Sequence, residues 1–255
     1  MIHPSSVIHE SAVIGDNVTV GPWTYIGENV EIGNETQISS HVVIKRDTKI
    51  GCSNTIFQFA TIGDDTPDLK YLGENTLLVI GDNNIIREGV TIHRGTIQDK
   101  AVTSIGNDNL FMAYSHIGHD CEVGNNIIMT NNAAISGHVN VGDWAILSGF
   151  AAVHQYVSLG AHCFIGPTAF VYHDVPAYLT VSGNPAEPRT INREGLKRRG
   201  FSPDDIAIIN KAYKILYRRG LQLEDAKQKI KALGSQRVLD VLLKSSESST
   251  RGLIR

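Results

Sequence analysis

An apolar residue falls at every sixth position from Ile8 through Ile14, Val20, Ile26, Ile32, Ile38, Ile44, Ile50 and Ile56 to Ile62. The beat resumes in phase at Ile80, Ile86 and Ile92. After a shift of one residue it runs through Ile105, Phe111, Ile117, Val123, Met129, Ile135, Val141, Leu147, Val153, Leu159, Ile165 and Val171. Twenty-five hits on one period predict a solenoid, a mainly β chain that stacks one strand and one corner at a time. Three hexapeptides per turn make a triangular prism with an 18-residue coil. About eight such coils rise roughly 40 Å at parallel strand spacing. The large aliphatic points inward, and a small or β-branched residue two positions earlier (Ala12, Val18, Thr24, Val30) fills the corner. The glycine that often follows, as at Gly15, Gly21, Gly33 and Gly51, is expected to supply a positive φ in the turn. Spacing does not set handedness; the general rule for parallel crossovers favours the right hand.

Two interruptions and one stop divide the chain. Residues 64–79 insert extra chain and keep the phase, whereas residues 94–104 insert extra chain and shift it. Loops on a rigid scaffold often carry function. The solenoid is expected over residues 1–175, a linker with Pro176, Gly183-Asn184-Pro185 and Pro188 over 176–189, and an α-helical C-terminal domain over 190–255. Ser202-Pro203-Asp204-Asp205 reads as a helix start, and Gly220 as its end. Two shorter helices are expected over 223–233 and 236–244, followed by a polar tail, 245–249.

Charge sharpens that boundary. The net charge is only −3, but residues 1–189 carry 8 Lys and Arg against 19 Asp and Glu, a net of −11. Residues 190–255 carry 15 against 7, a net of +8, which suits an acidic partner. No aromatic platform or motif accompanies it to indicate nucleic acid. No apolar run approaches membrane-span length and no signal layout opens the chain, so a cytoplasmic protein is expected. Cys52, Cys121 and Cys163 are read as buried thiols, not a disulfide or metal framework.

Six of the ten histidines lie between residues 93 and 162. His119, His138 and His154 follow Ile117, Ile135 and Val153, which are 18 residues apart, so the three form a ladder near one edge. His116 precedes Ile117. Counting 18 residues per coil puts His93 on an adjacent face, nearer this edge in a neighbouring subunit. Two chemical uses compete: a neutral imidazole as general base, or three imidazoles around Zn²⁺ with an open position. The run His116-Ile117-Gly118-His119-Asp120 leans toward the base, because Asp120 could orient an imidazole as triad carboxylates do.

Several motifs together resemble the acyl-carrier-protein-dependent UDP-N-acetylglucosamine 3-O-acyltransferases of lipid A biosynthesis. They are Pro67-Asp68-Leu69-Lys70-Tyr71, Thr91-Ile92-His93-Arg94-Gly95-Thr96, His116-Ile117-Gly118-His119-Asp120-Cys121, Gly137-His138-Val139 and Val153-His154-Gln155-Tyr156. The C-terminal part adds Glu194-Gly195-Leu196-Lys197-Arg198-Arg199-Gly200-Phe201 and the closing Ser249-Thr250-Arg251-Gly252-Leu253-Ile254-Arg255.

That resemblance implies a homotrimer of left-handed parallel β-helices with sites between subunits. It implies His119 as general base, Asp120 as its orienting partner and the Gly137 N–H as oxyanion donor. It places His93, His116, His138, His154 and Gln155 along the cleft, Asp68 and Lys70 on the inserted loop, and Asn192, Glu194, Arg198 and Arg199 on the helical side. Pro167 falls where the family's acyl groove closes and is expected to limit chain length. The implied reaction moves a 3-hydroxyacyl chain from acyl carrier protein to the 3-hydroxyl of UDP-N-acetylglucosamine. It needs no metal and no cofactor beyond the donor's phosphopantetheine. The alternatives are a related N-acyltransferase on acylated UDP-glucosamine, a γ-type zinc carbonic anhydrase, and a non-enzymatic scaffold.

Overall fold

In the computed structural model, described for residues 1–234, 237–247, 249 and 251–255, all twenty-five beat positions lie in strands, from Val7–Ile8 to Phe170–Val171. The strands stack parallel into three sheets, the faces of a prism. Face I carries, among others, Thr61–Asp64, Thr91–His93, His116–Ile117, Ala134–Ile135 and Ala152–Val153. Face II carries Thr48–Ile50, Leu77–Ile80, Val102–Ile105, Glu122–Val123 and Asn140–Val141. Face III carries Ile85–Ile86, Leu110–Phe111, Ile128–Met129, Ile146–Leu147 and Phe164–Ile165. The aliphatics form one buried column with the small residues before them, Val18, Val30, Val42 and Ala60 included. Thr24 and Thr36 take the same corner positions at no exposure.

The turn chemistry differs from expectation. Most glycines after the aliphatic do not have positive φ; the left-handed residue comes two positions later, as at Asn17, Trp23, Asn29, Asp120, His138 and Tyr156. Glycine is needed instead because the next coil passes close. A Cβ on Gly33 would lie 2.6 Å from the Gly51 carbonyl carbon. Gly63, with φ +75, is an exception in the column.

Residues 176–189, expected as a linker, contain structure. Leu179–Ser182 continues the face III sheet beside Phe164–Ile165, and Glu187–Ile191 pairs antiparallel with it. Gly183, with φ +107, turns this hairpin. Among the described residues four helices follow: α1, Arg193–Arg198; α2, Pro203–Tyr217; α3, Leu223–Lys231; and α4, Arg237–Glu247. The start of α2 is the expected one, with a reciprocal capping box between Ser202 and Asp205. The third expected helix extends further, through most of the polar tail, because Leu239, Leu242, Leu243 and Ser246 keep a buried face. Gln236, where that helix was expected to begin, and Ser248 and Thr250 lie outside the described residues. Cys121 and Cys163 are buried as expected, but Cys52 is exposed, because it stands two residues after Ile50 on the outside of a corner.

Candidate active site

The histidines collect at the corner between faces I and II. His119 Nδ1 lies 2.8 Å from Asp120 Oδ2. A carboxylate only accepts, so Nδ1 carries the proton and Nε2 is left as the free, basic nitrogen. Asp120 is 1% exposed and has φ 57°, which turns its carboxylate inward. There it accepts from the Thr96 N–H at 2.9 Å and the Thr96 hydroxyl at 2.6 Å, while its own N–H donates to Thr103 Oγ1 at 2.8 Å. Burial pushes its pKa up, but bonds from His119 and Thr96 outweigh that and hold it below the usual carboxylate range. Asp120 is therefore held as the carboxylate at neutral pH.

Gly137 stands one coil above. A Cβ there would lie 2.5 Å from His119 Nε2, so only glycine leaves room at that nitrogen. Among the described residues the Gly137 N–H donates to no backbone or side-chain acceptor. His138 packs edge-on against the His119 ring, centroids 4.8 Å apart, and stacks on Tyr156 at 4.2 Å. Its Nδ1 is 2.7 Å from Asp99 Oδ2.

His93 corrects the count made from sequence. Ile92 pairs with Ile117, and Thr91 with His116, 25 residues on. The insertion lengthens that coil, so His93 sits on the same face as His116 in the same chain, ring centroids 4.9 Å apart. His116 accepts from or donates to Thr91 Oγ1 at 2.7 Å. Burial, with His93 and His119 beside it, lowers the His116 pKa to about 4, and burial lowers that of His93.

The first insertion closes over the same corner. Asp68 Oδ1 accepts from the Lys70 N–H at 2.9 Å. The loop is stapled by two arginines: Arg46 reaches the Gly73 carbonyl at 3.1 Å and the Asn75 side chain at 3.1 Å. Arg94, 1% exposed, bonds the Gly63 carbonyl, Asp65 and the Tyr71 hydroxyl. His154 and Gln155 follow one coil above Gly137. His154 stands beside Arg251, Nη2 to Nδ1 3.1 Å, brought there by the C-terminal segment.

The remaining site residues lie elsewhere in the chain. Asn192, Glu194, Arg198 and Arg199 line a pocket of about 480 Å³ on face III, with Leu110, Ile128, Trp144 and Phe164. Asn192 caps α1 and donates to the His162 carbonyl at 3.0 Å. Arg199 lies 5.2 Å above the Trp144 ring. Pro167 is exposed at the corner between faces III and I. One chain alone does not bring these groups to the corner that holds His119 and His138.

Three converging imidazoles are not formed either. The cluster that could hold a metal among the described residues is His119, Asp120 and His138, without His154. Asp120 in it is already engaged by Thr96 and His119. Sequence reasoning missed Thr96, Thr103, Asp99, Thr91, Tyr156 and Arg251 as parts of the site. Thr96 and Asp99 were signalled only by the phase shift of the insertion that carries them.

Comparison with known proteins agrees from end to end. A family model described as UDP N-acetylglucosamine O-acyltransferase, domain 2, matches residues 174–254, and a bacterial transferase hexapeptide model (six repeats) matches residues 11–46. An acyl-(acyl-carrier-protein)–UDP-N-acetylglucosamine O-acyltransferase of Saccharophagus degradans is 56% identical over 100% of this chain and 99% of its own. The crystal structure of the UDP-N-acetylglucosamine acyltransferase of Francisella novicida is 47% identical with TM-score 0.98, covering 100% of this chain and 94% of that one. That of the Moraxella catarrhalis O-acyltransferase is 43% identical with TM-score 0.98, covering 100% and 99%.

Proposed function

This chain belongs to the acyl-(acyl-carrier-protein)–UDP-N-acetylglucosamine O-acyltransferase family, and on that premise we propose how its residues do the work. The chain transfers an acyl group from acyl carrier protein to UDP-N-acetylglucosamine in lipid A biosynthesis. The chemistry is general-base catalysis at His119. Its free Nε2 takes the proton of the sugar 3-hydroxyl as that oxygen attacks the 3-hydroxyacyl thioester carbon. The oxyanion rests against the unpaired Gly137 N–H, a contribution of about 3 kcal/mol in comparable sites. As the tetrahedral centre collapses and the C–S bond breaks, the His119 imidazolium returns the proton to the phosphopantetheine sulfur. Asp120 holds Nδ1–H throughout and stabilises the imidazolium. No metal or further cofactor takes part. The observation that carries this reading is the His119–Asp120 dyad with an unpaired N–H beside its free nitrogen.

The complete site takes more than one copy. Faces I and III meet at a corner lined by exposed aromatics, with Trp23 at 64%, Phe59 at 63%, Tyr114 at 66% and Phe150 at 65% exposure. Face III presents Ile85, Leu110, Ile128, Ile146 and Phe164 outward. A closed threefold arrangement with that corner on the axis covers the aromatics and sets face I of one copy against face III of the next. The histidine corner then opens onto Arg198 and Arg199 of the neighbouring copy, whose guanidinium forks suit the diphosphate of the nucleotide. His93, His116, His138, His154, Gln155, Asp68 and Lys70 line one wall of the cleft, and Asn192 and Glu194 the other. Pro167, near the axial end, limits the acyl chain. The +8 of residues 190–255 complements an acidic carrier protein. No helix among the described residues is long and apolar enough to cross a membrane, and a reaction fed by acyl carrier protein belongs in the cytoplasm.

The test is transfer by metal-free protein from a panel of 3-hydroxyacyl carrier proteins to UDP-N-acetylglucosamine. Transfer with one preferred chain length supports the reading. No transfer with any donor, from a folded trimer, overturns it.

A further inference from the structure

The second insertion does more than carry a loop past the corner. Thr96, near its start, donates twice to Asp120, the carboxylate behind His119. Three residues on, Asp99 accepts from Nδ1 of His138, 2.7 Å away. The two are tied into one turn, since the Asp99 and Ala101 N–H groups both donate to the Thr96 carbonyl, at 3.3 and 3.0 Å. A single inserted turn therefore secures two histidine–carboxylate pairs on successive coils. The ordinary coil has no such device: its corner passes from face I to face II in a few residues.

From this arrangement we infer that Asp99 is a positioning residue of the transfer reaction, acting through His138. A carboxylate only accepts, so His138 carries its proton on Nδ1 and presents Nε2 as an acceptor. Three contacts fix the ring in that pose: Asp99 at Nδ1, the Tyr156 face at 4.2 Å with planes 7° apart, and the His119 ring at 4.8 Å and 86°. The His138 side chain is only 7% exposed, while that of Asp99 is 33% exposed. A histidine side chain free in water favours the other tautomer, with the proton on Nε2. Without Asp99, the His138 proton is free to move to Nε2, which exchanges the donor and acceptor edges of the ring packed against His119. His138 lies against the reacting nitrogen and not at the Arg198 and Arg199 pocket. Its orientation should therefore govern turnover more than affinity for the nucleotide.

This rests on the general-base reading above, and the experiment separates the two. Steady-state kinetics are measured for the wild type, Asp99→Ala, Asp99→Asn, His138→Ala and the Asp99→Ala/His138→Ala double variant, with His119→Ala alongside. The expected result is a roughly 10- to 100-fold fall in kcat for Asp99→Ala, of the size that misplacing a catalytic group produces. KM for UDP-N-acetylglucosamine should stay within about twofold. Asp99→Asn, whose amide oxygen can still accept from Nδ1–H, should lose less. In the His138→Ala background Asp99→Ala should add no further loss, the signature of two residues acting as one. ¹⁵N shifts of His138 read the tautomer without any turnover: Nδ1–H in the wild type, moving toward Nε2–H in Asp99→Ala. Losses that multiply in the double variant, an Asp99→Ala enzyme as fast as wild type, or an unchanged tautomer each overturn the inference. A fall in kcat that merely follows a lower thermal midpoint and a smaller folded fraction does so too. Full turnover in His119→Ala would instead sink the general-base reading, with the ¹⁵N result still deciding what Asp99 does.

Discussion

Two corners of the same prism are built from the same repeat and used in opposite ways. Each turns on a left-handed residue three positions after the inward aliphatic: Asp120 and His138 at the corner between faces I and II, Asn126 and Trp144 at the next. At the second corner many of the outward N–H groups are closed off by a side chain of the next coil, though among the described residues those of Asn34, Asp143 and Ala161 are not. Cys52 N–H donates to Asp82 Oδ1 at 2.7 Å, Asp82 N–H to Asn107 Oδ1 at 2.7 Å, and Asn107 N–H to Asn125 Oδ1 at 2.8 Å. Inside that corner Asn54, Asn84 and Asn109 form a buried column, each bonding the coil above. At the histidine corner the matching N–H, that of Gly137, is left open, and the carboxylates hold imidazoles instead. Saturated donors give stability, whereas an open donor beside an oriented base gives chemistry. The polar bonds removed from one corner are supplied to it again by the second insertion, through Thr96 and Asp99.

The largest break in this comparison comes from His119→Ala. It removes the proposed base and leaves every bond of the asparagine corner intact. Turnover should fall by about 100-fold or more, the scale of general-base catalysis, with the fold and its thermal midpoint retained. Rates near wild type would show that the histidine corner is not where the proton moves. Next comes Gly137→Ala. Its Cβ, 2.5 Å from His119 Nε2, must displace the imidazole or the N–H proposed to face the oxyanion. A kcat loss of about 100-fold is expected at nearly unchanged stability, and a fully active variant would remove Gly137 from the reaction.

The opposite break is Asn84→Ala. Asn84 is fully buried; its Oδ1 accepts from the Asn109 N–H at 3.0 Å and its Nδ2 donates to the Gly106 carbonyl at 3.0 Å. Truncation leaves both groups unpaired in the core, at about 1–3 kcal/mol each. Chemical denaturation should show the loss, while kcat per folded enzyme stays at the wild-type value. A variant as stable as wild type would mean that the column contributes little, and that the two corners differ less than their bonds suggest.

The strands were legible because a six-residue period leaves little choice: each aliphatic of the beat is an inward residue of a strand. What the period hides is anything that leaves the coil. Counting in eighteens misplaced His93, since the 25-residue coil returns to the same face only after an excursion whose length the beat does not contain. The 176–189 hairpin was hidden for a related reason. Its Pro185 and Pro188 and its Gly183 read as breakers, yet the strand Leu179–Ser182 only needs a free edge of face III, which is a tertiary fact. His119 and Asp120 were legible as neighbours in sequence, whereas Thr96 reaches Asp120 across 24 residues and Asp99 reaches His138 across 39.

A last and smaller effect distinguishes the corners by pH. His116, on the face that leads into the histidine corner, and His162, at the asparagine corner, are both held neutral down to about pH 4. Burial is the main cause in each, with His93 and His119 adding to it for His116, and Arg199 for His162. In the unfolded chain both titrate near the ordinary histidine value of about 6.5. Between about pH 6.5 and 4 the unfolded state therefore binds more protons than the folded one. Stability rises with pH across that window and is lost as pH falls through it. The thermal midpoint should drop from about pH 7 to about pH 5, and both His116→Gln and His162→Gln should flatten the drop. Only His116→Gln should also alter the pH profile of kcat, because only His116 lies beside His119. Two variants with the slope of wild type would show that these rings are not buried neutral. A changed kcat profile in His162→Gln would show that the neighbouring copy brings the asparagine corner close enough to His119 for its charge to be felt there.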